Sequence, residues 1–343
     1  MTPSRFEQLT SRYETLRLTV VGDFCLDRYF DIDPTRQEIS LETGLPVHNV
    51  VSTRCQPGAA GTILNNLLAL GLAQIRPVGF CGDDGEGWEL WRALALQPRV
   101  NLEGFLKTAE RATFSYSKPL IHRPGRPPEE LNRLDVKNWT LTPAGVAQVI
   151  EANLANALRQ TDGLIVMDQV DIAGTGVVCG SWVPGLVAMV EQARSGMIAI
   201  ADSRRSLRDF PPVIFKMNAV ELAGLVGCPT GASLETIRDQ AAELARRNQR
   251  PVFVTLSEQG IVGASAEGQT WHRPNFPPRG PIDIVGAGDA VTANLTTAMV
   301  AQATIPEALE FAMAAASIVI HQLGTTGTAS VAQIRELVLS PSR

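Results

Sequence analysis

The chain has 343 residues, 45% of them hydrophobic and 19% charged, enough for one large α/β domain or two smaller ones around a sizeable core. A formal net charge of −5 and a pI near 5.5 argue against general binding to nucleic acid or anionic membranes, so any anionic ligand must be held by a local cluster of donors. Five scattered cysteines without a C-x-x-C pair point away from a disulfide framework or a zinc site and toward the cytoplasm, and no stretch reads as a signal peptide or a spanning helix.

In chain order, residues 16–22 (LRLTVVG) read as a buried strand closed by glycine, with Asp23 and Asp27 beyond its C-terminal end. Residues 28–53 are polar with short extended pieces. Residues 56–61 (QPGAAG) predict a small-residue loop, followed by a helix over 62–70. A strand over 74–80 and a helix over 88–96 come next. Residues 111–121 (RATFSYSKPLI) alternate and are rich in aromatic and hydroxyl side chains, which predicts extended strands forming a small second sheet with 28–53. Residues 122–128 predict a solvated Pro/Gly/Arg loop, and 146–158 a helix. Trp139 and the other tryptophans are expected to pack.

From Asp162 the pattern turns regular. Strands over 163–167, 197–201, 213–217 and 252–256 lead to Asp168, Asp202, Asn218 and Ser257, with helices over 186–194 and 234–246 between them. Such alternation predicts a mostly parallel sheet covered on both faces, with a ligand crevice beyond the carboxyl ends of its strands. Helices over 291–302, 306–322 and 331–339 close the chain, interrupted by a Gly/Thr loop at 323–328.

One stretch concentrates the chemistry. In residues 281–290 (PIDIVGAGDA), Gly286, Ala287 and Gly288 stand where a loop becomes a helix, so backbone N–H groups are open to an anion and the helix dipole favours it. Asp289 in the same turn suits a base beside a phosphate. The plain alternative is a Gly-rich turn with Asp289 as its N-cap. There is no G-x-x-x-x-G-K-[ST] loop, so a phosphate donor would not be held in Walker fashion.

Taken together, residues 16–337 resemble the ribokinase (PfkB) family of carbohydrate kinases, whose signature D-T-x-G-A-G-D is similar to Asp283 through Asp289. Within the family the likeness is greatest to the kinases of D-glycero-D-manno-heptose 7-phosphate. It rests on residues 20–23 (VVGD), 26–29 (LDRY), 132–135 (NRLD), 201–204 (ADSR) with Asp209-Phe210, 257–260 (SEQG) and 322–325 (QLGT).

The resemblance implies a three-layer α/β/α fold with a mostly parallel sheet, as one domain over 1–343 whose β-sheet lid comes from about 28–55 and 108–124. It implies an ATP- and Mg²⁺-dependent phosphotransferase acting on a sugar or sugar phosphate. Asp289 would be the general base, with Gly286, Ala287 and Gly288 as the anion hole. Asp27, Arg28, Gly58, Ala59 and Thr62 would face the acceptor. Asn218, Thr255, Ser257, Gly260 and Gly288 would hold the nucleotide, with the 323–328 loop beside the adenine. Glu221 would meet Mg²⁺ through water, and Asp283 would lie near a K⁺ site. A cytoplasmic homodimer formed through the lid is the expected assembly. The nucleotidyltransferase that follows the kinase in bifunctional relatives is not expected here.

The family's sugar loop carries Asn where Thr62 stands, residues 168–171 (DQVD) lack a Lys-Gly pair, and Met313 replaces a polar residue. These departures shift the acceptor rather than the phosphoryl-transfer end. An acceptor bearing its own phosphate would need an arginine such as Arg28, Arg111, Arg123 or Arg204. A binding protein without turnover and a nucleoside kinase of the same family stay open as alternatives.

Overall fold

A computed structural model describes residues 1–126 and 128–340; Pro127, within the loop expected over 122–128, and residues 341–343 lie outside the described residues. In chain order the first part holds α1 (Pro3–Thr10), β1 (Arg17–Gly22), β2 (Phe24–Ile32), the short strands β3 (Glu38–Ile39) and β4 (Pro46–Val47), β5 (Val50–Ala59), α2 (Ala60–Ala69), β6 (Gln74–Gly82), α3 (Gly85–Ala95), β7 (Phe105–Thr108), β8 (Phe114–Ile121), β9 (Glu129–Glu130) and β10 (Leu134–Val136). The second part holds α4 (Ala144–Leu158), β11 (Gly163–Asp168), α5 (Leu186–Ala193), β12 (Ile198–Ser203), β13 (Ile214–Asn218), α6 (Ala219–Val226), α7 (Leu234–Asn248), β14 (Val252–Thr255), β15 (Ile261–Ala264), β16 (Thr270–Arg273), α8 (Ala287–Val300), α9 (Ile305–Val319) and α10 (Val331–Leu339).

A nine-stranded sheet runs β16-β15-β14-β13-β12-β11-β1-β6-β7. From β14 to β7 its neighbours are parallel, while β15 and β16 add an antiparallel edge. Alternate residues sort to the two faces, as the pleat requires. Leu18, Val20, Ile165, Ile200 and Phe253 pack with α2, α8 and α9 on one side, and Val21, Val166, Ala201, Phe215 and Val254 with α4, α5 and α7 on the other. This is the three-layer α/β/α arrangement expected from the alternating pattern. The sequence reading lacked β15 and β16, whose four-residue runs are too short to show a clear period.

The second sheet runs β10-β8-β2-β5, with β9 paired to β8. β2 pairs in parallel with β8 and antiparallel with β5. The chain passes from the first sheet to the second at Asp23, between β1 and β2. Asp23 is buried there, with its carboxylate accepting the N–H groups of Gln169 (2.8 Å) and Val177 (2.7 Å) and its own carbonyl accepting the N–H of Ala60 (3.0 Å).

The small-residue loop expected over 56–61 is absent. Its residues finish β5 and run straight into α2, with Ala59 as the junction at φ 53° and ψ −117°. That backbone region is open to glycine and strained for alanine. Ala59→Gly is therefore expected to stabilise the fold by about 1 kcal/mol, the relieved strain exceeding the extra chain entropy of glycine. Urea denaturation would read it, and a lower midpoint for the variant would contradict the strain.

Tryptophan packing holds for Trp182, which is fully buried, and fails for Trp139, which is 71% exposed.

Candidate functional site

The parallel strands bring their polar ends to one edge: Asp168 on β11, Asp202 on β12, Asn218 on β13 and Thr255 on β14. α8 starts at this edge. Gly286 is its N-cap at φ 82°, so the helix begins at Ala287, four residues earlier than the sequence suggested. The N–H of Ala287 donates to the Ile284 carbonyl and that of Ala290 to Gly286. The N–H groups of Gly288 and Asp289 between them have no acceptor within the helix. Two unpaired donors at the positive end of a fourteen-residue helix, beside a residue without a side chain, fit a phosphate group.

Asp289 retains an open edge toward this crevice, yet the surrounding protein desolvates it. Its pKa is pushed up to about 7, by desolvation first and then by the Asp202 charge, with Lys216 opposing and Asp27 adding a further rise. Lys216 is buried, and its ammonium donates to Asp202 Oδ2 at 2.7 Å. Thr292 on α8 donates to the same oxygen at 2.8 Å, fixing the helix to β12. Burial works to lower the Lys216 pKa, but Asp202, Glu221 and Asp289 outweigh it and hold the side chain charged. A Cβ on Gly288 would sit 3.4 Å from Lys216 Nζ, which places the cation against the first turn of α8. Lys216 was not picked out from the sequence, and Asp202 was read only as a polar strand end and as part of the 201–204 run, with no role given. The available signal was a lysine inside the otherwise apolar run of β13 (IFKMN).

Asp27 is buried on β2, close enough to affect Asp289. Burial raises its pKa against the pull of Lys118, whose Nζ lies 3.6 Å from Oδ1. A Cβ on Gly58 would come within 2.5 Å of the Asp27 carboxylate, so the β5 backbone passes too close for any other residue. Arg133 stacks over Tyr116, a neighbour of Asp27 in the sheet register, with its guanidinium 5.1 Å from the ring centroid.

The other expected site residues are spread over several elements. Arg28 alternates to the face opposite Asp27 and pairs with Glu86 (2.9 Å) and Glu89 (3.5 Å), so the structure does not bring it to the acceptor side. Thr62 is buried in α2 and its hydroxyl has no partner among the described residues. Arg111 is a structural residue, donating to the carbonyls of Thr140, Leu141 and Thr175. Arg123 pairs with Glu129, and Arg204 is half-exposed beside Asp171 at 3.3 Å. Asn218 and Glu221 form a capping box on α6, each side chain taking the other's N–H, at 2.9 and 2.7 Å. The Asp283 carboxylate accepts the N–H groups of Val285 (3.0 Å) and Gly324 (3.3 Å). Thr255 ends β14, Ser257 is exposed in the turn to β15, and Gly260 packs so tightly on the Arg273 carbonyl that a Cβ would lie 2.1 Å from it.

A family model described as pfkB family carbohydrate kinase matches residues 189–332, which contain Asp202, Lys216, Asn218, Glu221 and the whole of α8. The bifunctional protein HldE of Shewanella sp. (strain MR-4) is 28% identical over 338 residues, covering 95% of this chain. HldE of Gluconobacter oxydans is 26% identical over 94% of it. Residues 189–332 are thus similar to the pfkB family of carbohydrate kinases. The chain spans 64% of the length of these HldE relatives. The fold agrees: Arabidopsis thaliana ribokinase, solved with ribose and ATP, superposes with a TM-score of 0.68 over 95% of this chain and 100% of its own, at 20% identity. Phosphofructokinase-2 of Escherichia coli, solved with potassium, gives 0.70 over 94% and 98%, at 18% identity. Asp27 and Gly58 lie outside the matched residues, whereas the α8 end of the crevice lies inside them.

Proposed function

We propose that this chain transfers the γ-phosphoryl group of ATP to a hydroxyl of a sugar phosphate resembling a heptose 7-phosphate. The observation that carries the reading is Asp289. It is a carboxylate with a pKa of about 7, set in the first turn of α8 among the unpaired N–H groups and within the influence of a second carboxylate, Asp27. A base must release and accept a proton near working pH, and this environment tunes an aspartate to do so. Asp27 would orient the acceptor by accepting from its hydroxyls. Asp289 would take the proton from the attacking hydroxyl. The N–H groups at the start of α8, with Lys216 beside Gly288, would stabilise negative charge developing on the transferred group.

Mg²⁺ arriving with the nucleotide would offset phosphate charge, and Asn218 and Glu221 would hold it through water. A monovalent cation such as K⁺ would sit by Asp283. The loop at 323–328, joined to Asp283 through Gly324, would border the base of the nucleotide.

Lys118, Arg133 and Arg204 favour an acceptor that carries its own phosphate. Release of ADP across a panel of neutral sugars and their 6- and 7-phosphates tests this. Turnover confined to a phosphorylated acceptor is expected. Turnover of neutral sugars alone would overturn the acceptor class, and no turnover of any would overturn the activity.

The face of the second sheet opposite Asp27 exposes Leu134 (67%) and Val136 (43%) on β10 and Val50 (46%) on β5 at the other edge, and a second copy of the chain would cover it. Light scattering is expected to give twice the 36.9 kDa of one chain, and a monomer mass would remove this assembly.

A further inference from the structure

We propose that Gln56 is a positioning residue that ties the second sheet to the first turn of α8. It lies on β5 directly opposite Asp27 in the strand register, on the face that meets the crevice. Its amide reaches out of the sheet to the loop at 323–328. Oε1 accepts from the Thr325 hydroxyl at 3.0 Å, and Nε2 donates to the Thr326 hydroxyl at 2.5 Å. An amide suits this task because it donates and accepts at once, while threonine hydroxyls rotate to serve either role.

Thr326 is buried, and its Cα, Cβ and Cγ2 stand 3.3 to 3.5 Å from where a Cβ on Gly286 would be. It therefore packs against the N-cap of α8. The chain of contacts from Gln56 to Thr326 to Gly286 links the strand that confines Asp27 with the turn that presents Asp289. Arg54, two residues back on β5, adds a bond from its guanidinium to the Gly324 carbonyl at 3.3 Å. On its far side the loop is held by Asp283 through the Gly324 N–H, and by Gln322, which bonds both the N–H (3.2 Å) and the carbonyl (2.7 Å) of Thr328. The loop is thus anchored at both ends, and Gln56 holds its middle to the second sheet.

The consequence for turnover rests on the reading of α8 as the phosphoryl-transfer site; the latch itself does not. Hydrogen exchange on the full chain tests it, with Gln56→Leu and, as an independent break that preserves shape, Thr326→Val. In the free protein either change is expected to speed exchange in the 323–328 loop and at Ala287 and Ala290, whose N–H groups are bonded around the first turn of α8, by about tenfold, the scale of one or two lost hydrogen bonds. Thr326→Ser, which keeps the hydroxyl, is expected to leave exchange near wild type. Combining Gln56→Leu with Thr326→Val is expected to add little beyond either alone. In the wild type, Mg·AMP-PNP is expected to slow exchange in both the loop and β5; in Gln56→Leu it should slow the loop alone.

Unchanged exchange in the free variants would overturn the latch, as would equal protection of β5 by nucleotide in variant and wild type. If Mg·AMP-PNP protects nothing in the wild type, the kinase reading fails instead, and the free-protein comparison still decides the latch.

Discussion

Asp289→Asn is expected to lower kcat by about 10²- to 10⁴-fold, the span that a positioned general base contributes. Affinity for Mg·AMP-PNP, read by calorimetry, is expected to stay near wild type, because the backbone N–H groups of α8 remain. Retained turnover in the variant would remove Asp289 from the mechanism. The wild type carries its own check in pH. With the carboxyl titrating at about 7, kcat/KM is expected to climb between about pH 6 and 8 and then level, as the base loses its proton.

Stability moves the opposite way. In the unfolded chain an aspartate ionises near ~3.9, whereas folded Asp289 holds its proton to about pH 7. The folded state therefore binds more protons across that window, and stability falls as pH rises through it. Asp289→Asn lacks this fall. Its advantage in Tm over wild type should be larger at pH 8 than at pH 4, and an advantage that shrinks with rising pH would contradict the shifted pKa.

The second large effect belongs to Lys216. Lys216→Met leaves Asp202 buried beside Thr292 with no cation, and breaking one partner of a buried ion pair costs roughly 3–5 kcal/mol. Denaturant midpoints should show that loss. Adding Asp202→Asn should recover part of it, because the stranded charge is removed as well. The same substitution withdraws the cation that opposes the rise in the Asp289 pKa, so any residual activity should need higher pH than the wild type. A variant with wild-type stability and an unshifted profile would show that the pair sits apart from the site.

How much of this the sequence disclosed follows from how local each feature is. Gly286 through Asp289 could be read directly, because a side-chain-free junction and its carboxylate occupy consecutive positions. The alternating strands were likewise visible, since each carries its own short apolar run. Asp202 and Lys216 could not be paired in advance. They sit on neighbouring strands, and only the parallel register of β12 and β13 sets Asp202 beside Lys216. Arg111 was misjudged for a related reason. An arginine in a polar stretch suits phosphate, but this one is buried and spends its donors on loop carbonyls distant in the chain. Arg28 failed by one residue of strand alternation, which turned it to the outer face. Gln56 was hidden twice over, first by the expectation of a loop where β5 continues, and then by partners some 270 residues away.

The bonds gathered at Asp23 make that residue a fulcrum. It is tied to the loop after β11 and to the first residue of α2, while Asp27 stands four positions along β2. At about 3.3 Å per strand residue the arm is roughly 13 Å long, so a tilt of about 10° in the second sheet would carry the Asp27 carboxylate some ~2 Å. That is the difference between a hydrogen bond and none. Under the proposed mechanism, Asp23 would thus set the leverage with which the second sheet brings an acceptor to Asp289.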